Sequence, residues 1–210
     1  MNMTVAGFVR QCGAALGVIV ALTLLLGVAY PAAVWAVSRI GANSAEGSQV
    51  TDARGCDVGS SLIGLDPSVA AGQPDPYLHA RVLGGAGEPM APGDPAASAA
   101  SNKGPNNSDL VEWINARRTI IAAREGVAPA RVPADAVTGS GSGLDPDISP
   151  AYAALQVQRI ARVNKLPEQR VREIIADHTN GRQLGVLGSP TVNVLDVNLA
   201  LGLGPSTCRS

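Results

Sequence analysis

The residue types that could do chemistry are concentrated in Gly139-Ser140-Gly141-Ser142-Gly143-Leu144-Asp145-Pro146-Asp147-Ile148-Ser149-Pro150. Successive glycines ahead of a helix can turn backbone N–H groups toward an anion. No Lys-Ser or Lys-Thr follows, however, and neither the Walker spacing nor Gly-x-Gly-x-x-Gly is present, so the run reads as a tight structural turn. Ser140 and Ser142 meet the Gly-x-Ser-x-Gly elbow pattern only with Gly141 in the nucleophile's place, which voids the match. Asp145 and Asp147 have the look of a general acid and base. Flanking Pro146 directly before a helix, they are more economically turn formers and favourable charge at that helix's positive end. No catalytic residue is assigned.

His79 and His178 are the only histidines, and neither has an acidic or cysteine neighbour at ligand spacing, so no metal site is expected. His178 closes an apolar stripe and reads as a half-buried residue at a helix end. Of three cysteines, Cys12 lies in an apolar run, while Cys56 and Cys208 could pair in an oxidising compartment; two isolated cysteines make no disulfide framework. With 16 basic against 17 acidic residues the net charge is −1, which leaves no electrostatic footprint for nucleic acid. Aromatic residues make up 3%, against 24 glycines and 15 prolines, so the fold must rest on small aliphatic side chains and long turns.

The element that must position everything else is Gln11 to Ser38, which contains no acid or base and is bracketed by Arg10 and Arg39. As a helix it would rise roughly 40 Å, against a hydrocarbon core of about 30 Å. A cleaved export signal is the competing reading. Signal cores are shorter, and Trp35 sits poorly beside a cut, whereas Tyr30 and Trp35 suit an interfacial anchor. Residues 1–10 are then a short tail, 11–38 a transmembrane helix that Pro31 kinks or frays, and 39–210 one soluble domain. The flanking charges nearly balance, so orientation stays open; a short tail before a long domain fits the N-terminus inside and the domain outside.

Past the anchor, glycine turns separate β-like pieces at Val50 and Leu62-Ile63, which suggests a hairpin. Residues 84–108 form an irregular loop rich in Pro, Gly, Ala and Asn. A helix starts near Asp109, with Glu112 at capping-box spacing, carries Leu110, Trp113, Ile114, Arg117, Ile120 and Ile121 on one face, and stops at Gly126. Val132–Thr138 is an extended approach to the glycine loop. Ser149 caps a helix over residues 151–164 with Tyr152, Leu155, Ile160 and Val163 inward. A second helix, Glu168–His178, buries Val171, Ile174 and Ile175. Val192–Leu201 mixes strand and helix periods, and periodicity leaves both open. The fold class is α+β, a single span followed by one mixed domain.

The order of segments resembles the C subunit of the bacterial high-affinity potassium-transporting P-type ATPase, the Kdp complex. The resemblance rests on Gly59-Ser60-Ser61-Leu62-Ile63-Gly64, Ser101-Asn102-Lys103-Gly104-Pro105-Asn106-Asn107, Val137 through Pro150, and Gly181-Arg182-Gln183-Leu184-Gly185-Val186-Leu187-Gly188 with Val192 through Leu201. Departures are Leu65 in place of a glutamine, Tyr77-Leu78-His79-Ala80-Arg81 in place of Tyr-Phe-x-Gly-Arg, and Ala99-Ala100-Ser101 in place of Gly-Gly-Ser. The resemblance implies an accessory, non-catalytic subunit in the cytoplasmic membrane. It would sit beside a channel-like A subunit that carries K+ and a B subunit that hydrolyses ATP, and would act as a chaperone raising the B subunit's affinity for ATP. It further implies nucleotide contact at Gln156. A second reading makes the chain a membrane-anchored nucleotide-binding module, with Gly141, Ser142 and Gly143 near phosphate and Gln156 near the base or ribose, and a third an anchored extracytoplasmic hydrolase using Asp145 or a serine of the loop. An outside domain is hard to square with cytoplasmic ATP, but it can still raise ATP affinity by favouring one conformation of the pump.

Overall fold

The computed structural model describes residues 5–64, 66–84 and 88–204; Leu65, three residues of the irregular loop and Cys208 lie outside them. The chain divides into two compact units, 1–48 and 49–210. In the first, helix runs almost without break from Val5 to Ala45, long and apolar enough to cross a membrane. It comprises α1 (Val5–Leu24), a π-helical turn at Leu25–Ala29, α2 (Tyr30–Ser38), a 3-10 turn at Arg39–Gly41 and α3 (Ala42–Ala45). The π turn answers to Pro31. A proline has no N–H and its ring crowds the carbonyl four residues back; here the Tyr30 N–H reaches Leu25 O, five residues back, and the ladder widens just before the proline. Instead of fraying there, the helix resumes as α2. Its C-terminal end is fastened by Ser38 Oγ donating to Trp35 O, by the Arg39 guanidinium over the Trp35 ring at 5.5 Å, and by Arg39 Nη1 on Glu46 Oε1 at 2.6 Å.

The second unit opens with the antiparallel hairpin β1 (Gln49–Thr51) and β2 (Asp57–Ser60). The hairpin forms, but its second strand lies earlier than the residue types suggest: Leu62 and Ile63 fall in the turn after β2, with Leu62 64% exposed. Asp52 explains the early closure, since its Oδ1 accepts from the Arg54 and Cys56 N–H groups and shapes the turn. Helix α4 (Ser108–Glu125) ends at Gly126 in the left-handed conformation, as its sequence predicts. Its cap is Asn107, which accepts from Leu110 N, rather than Asp109, whose carboxylate lies inside the first turn and pairs with Lys103 at 2.7 Å. Where an extended approach was expected, residues Ala134–Val137 make one helical turn, α5.

Ser149 does cap α6 (Pro150–Asn164), accepting from Tyr152 N at 3.0 Å. Tyr152 and Ile160 are buried as expected, but Leu155 and Val163 are only half-buried, and Ala153, Gln156, Val157 and Arg159 take the inner face. Helix α7 (Glu168–Asp177) buries Val171, Ile174 and Ile175, and the His178 ring N–H donates to Ile174 O just past its end. The segment with two periods contains both structures: β5 (Thr191–Asn193) leads directly into α8 (Val194–Ala200), which Asn193 caps. Strand β5 is central in a small antiparallel sheet, between β3 (Asp147–Ile148) and β4 (Thr179–Asn180). Ile121, Val137, Ile148, Tyr152, Val157, Ile160, Val171, Val192 and Val197 form one continuous core with Leu78.

Candidate functional site

Leu78 belongs to a segment, residues 77–83, that passes through this core without helix or strand assignment. Leu78, His79, Ala80 and Val82 are buried, so their backbone groups need partners other than water. Two carboxamides supply them for Leu78 and His79, and the Ala80 N–H donates to Asp66 Oδ1 at 2.7 Å. Asn198 Oδ1 accepts from Leu78 N at 2.8 Å while its Nδ2 donates to Leu78 O at 2.9 Å. Gln156 does the same one residue on, accepting from His79 N at 2.8 Å and donating to His79 O at 3.2 Å. Each side chain copies the paired bonds of a neighbouring strand.

An ionic network surrounds this clamp. Arg159 Nη1 donates to Asp75 O and Tyr77 O, its Nη2 to Gln156 Oε1, and its Nε to both oxygens of Glu125 at 3.1 Å. Glu125 is also met by Arg124 at 2.7 Å, and Arg124 in turn reaches the Tyr152 hydroxyl. His79 Nδ1 lies 3.0 Å from both oxygens of Asp66, and its Nε2 2.6 Å from Asp75 Oδ2. Sequence spacing missed these two acidic partners, because Asp66 and Asp75 approach along irregular chain that has no period to read. Burial pushes the Asp75 carboxyl up, but the hydrogen bond and charge of His79 and the charge of Arg159 outweigh it and bring it down to about 2. Burial drives the Tyr152 phenol up to about 12, against the opposing pull of Arg124. The network opens on a cleft of about 280 Å³ whose lining includes Asp66, Asp75, His79, Arg124, Met90 and Ile120. Among the described residues no cluster of three His, Cys, Asp or Glu is arranged to hold a metal, and no buried polar side-chain atom lacks a partner.

The glycine loop is a second meeting point. Arg81 donates to Thr138 O, to Gly139 O at 2.7 Å and to Asp145 Oδ2 at 3.0 Å, so carbonyls of the loop face a cation. Ser142 Oγ accepts from Leu144 N, and Ser140 Oγ from Asp145 N. Gly143 is left-handed at φ 73°, and a Cβ there would sit 2.6 Å from Ala99 O, so only glycine fits. Gly141 and Ser142 are exposed, Gly143 is buried and Gln156 is 0% exposed. Asp145 and Asp147 take separate partners: Asp147 accepts from Thr191 Oγ1 and Asn193 Nδ2 and ties β3 to β5. Deeper still, Arg117 is 1% exposed and donates to the carbonyls of Leu83, Pro89 and Val137. Burial lowers its pKa from the usual guanidinium value.

These features define a class: a protein with one membrane-spanning helix and one α+β domain in which side chains stand in for missing secondary structure. Comparison with known proteins narrows it. The model of the family described as K+-transporting ATPase, c chain, matches residues 12–202. The chain is 45% identical over 202 residues to a potassium-transporting ATPase KdpC subunit of Kineococcus radiotolerans, covering 96% of this chain and 97% of the relative. It is 41% identical to subunits of the same name from Streptomyces avermitilis over 216 residues and Ralstonia nicotianae over 189. The chain belongs to the KdpC family, the c chains of the K+-transporting ATPase complex.

Replacing Gln156 by leucine removes the clamp on His79 and leaves a buried N–H and C=O unpaired, at about 1–3 kcal/mol each. Thermal unfolding of the full-length Gln156→Leu variant, with no nucleotide present, should show a midpoint well below that of the parent. Acid should act on the same network. Asp75 is depressed from 3.8 to about 2, so its contribution is complete above pH 4 and is lost as pH falls toward 2. Solvent screening limits that contribution to roughly 1–2 kcal/mol. Denaturant midpoints measured across that window should fall less for Asp75→Asn than for the parent.

Proposed function

We propose that this chain is a non-catalytic accessory subunit of an ATP-driven potassium pump, joined in the membrane to a channel-like A subunit and an ATP-hydrolysing B subunit. The observation that carries the reading is the family match across residues 12–202, on a chain made of one apolar helix and one domain. The N-terminus lies in the cytoplasm and the domain outside. From there the subunit raises the ATP affinity of the B subunit by linkage: it binds one conformation of the pump more tightly, and that conformation holds ATP better. Supporting the indirect route, both amide atoms of Gln156 are committed to the His79 peptide. Direct nucleotide contact through Gln156, Gly141, Ser142 and Gly143 would require Gln156 to release it.

Purified complexes with and without residues 49–210 test this through potassium-stimulated ATP hydrolysis. Deletion is expected to raise the KM for ATP at least about five-fold, the low end of ordinary coupling. Unchanged assembly and unchanged KM would refute the role. Protease added to the outer face of intact spheroplasts should release the domain; cleavage from the cytoplasmic face alone would overturn the topology.

A further inference from the structure

Of the three cysteines, Cys12 is free in the apolar helix, whereas Cys56 is disulfide-bonded. Cys56 closes the turn between β1 and β2 and is 3% exposed. Asp52 fixes that turn. Its Oδ1 accepts from the Cys56 N–H at 3.0 Å and from the Arg54 N–H at 2.9 Å, its own N–H donates to Cys56 O at 2.9 Å, and Gly55 supplies the left-handed residue at φ 79°. The chain beyond α8 comes to the same turn. Helix α8 gives way to Gly202, left-handed at φ 79°, whose N–H donates to Leu199 O while Leu203 N donates to Asn198 O. That reversal brings Gly204 onto the hairpin: a Cβ there would meet Asp52 Oδ2 at 3.5 Å and Asp52 Cβ at 3.7 Å, ordinary contact with the residue that holds the Cys56 peptide.

We infer that the partner of Cys56 is Cys208 of the same chain, and that their disulfide staples the chain beyond α8 to the β1–β2 turn. Cys208 follows Gly204 by four residues, a span of at most about 14 Å, ample for the roughly 4–7 Å between Cα atoms that a disulfide needs. A cysteine from a second copy would have to compete with a chain that already lies on Asp52. The bond forms by exchange with an oxidised dithiol carrier. The Cys56 thiolate attacks one carrier sulfur and expels the other; the Cys208 thiolate then attacks the Cys56 sulfur of the mixed disulfide and expels the carrier. Two cysteine protons and two electrons leave with the carrier, now a dithiol. Such carriers work in oxidising compartments, so the inference rests on the reading that places the domain outside, and states how that compartment completes the fold. The staple also holds α8, whose Asn198 grips Leu78.

Cells expressing the full-length chain, lysed in denaturant with N-ethylmaleimide and digested with trypsin without reductant, test the bond by mass spectrometry. Residues 55–81 should appear joined to residues 183–209, with Cys12 alkylated. Alkylated Cys56 and Cys208, or a disulfide-linked dimer on a non-reducing gel, would overturn the inference. Cys208→Ser should lower the thermal midpoint of the detergent-solubilised chain by about 5–15 °C. Equilibration with dithiothreitol should lower the parent's midpoint equally and leave the variant's unmoved. A parental midpoint in Cys208→Ser, or the same reductant effect on both proteins, would refute the staple. Both cysteines alkylated while protease at the outer face releases the domain would sink the staple alone. Both alkylated with cleavage only from the cytoplasmic face would sink the topology and the staple together.

Discussion

A buried peptide must have its N–H and C=O groups met, and in this domain that constraint falls on a stretch with no strand beside it. Residues 77–83 cross the core without regular secondary structure, and carboxamides from two helices meet the peptide groups of Leu78 and His79. An unmet buried amide costs about 1–3 kcal/mol, comparable to burying a whole aliphatic side chain. Asn198 and Gln156 therefore matter as much to the core as Leu78 or Ile160. The ionic network is the outer layer of the same solution: Arg159 braces Gln156 and takes two further carbonyls of the segment, and Glu125 neutralises Arg159.

What could be read from the sequence was what local chemistry dictates. The membrane helix, the serine cap of α6, the glycine stop of α4 and the Val171–Ile175 stripe each follow from residue type and spacing within one turn or one helix. What escaped depends on residues distant in the chain. Spacing left His79 without an acid, because Asp75, four residues before it, and Asp66, thirteen before it, lie on irregular chain that has no period to read. Spacing places Arg117 on the apolar face of α4. In the structure its guanidinium enters the core to collect three carbonyls, and no periodicity encodes that. Leu62 and Ile63 are aliphatic and favour a strand, but the turn at Asp52 pairs Val50 with Gly59, three residues before Leu62.

The family resemblance and the bottom-up reading meet at the glycine loop and bear differently on it. Glycine after glycine suggests a cradle for an anion, yet the loop turns the carbonyls of Thr138 and Gly139 onto Arg81. That arrangement suits a corner closed by a cation from the core segment, with Gly143 fitted against Ala99. Arg81 and Gln156 thus hold the two ends of one short stretch, and residues marked by the resemblance act in the architecture of that stretch.

The clamp on Tyr77–Leu83 also orders events in time. The partners of Leu78 and His79 lie 120 and 77 positions further along the chain. Asn198 is made 120 residues after Leu78, so the middle of the domain waits, unpaired, for α8. Contacts of such long range slow folding and lengthen the exposure of greasy backbone to wrong neighbours. For a protein fastened to a membrane by its first forty-five residues, the wait takes place at the bilayer surface. Helix α8 is then the latch that closes the domain.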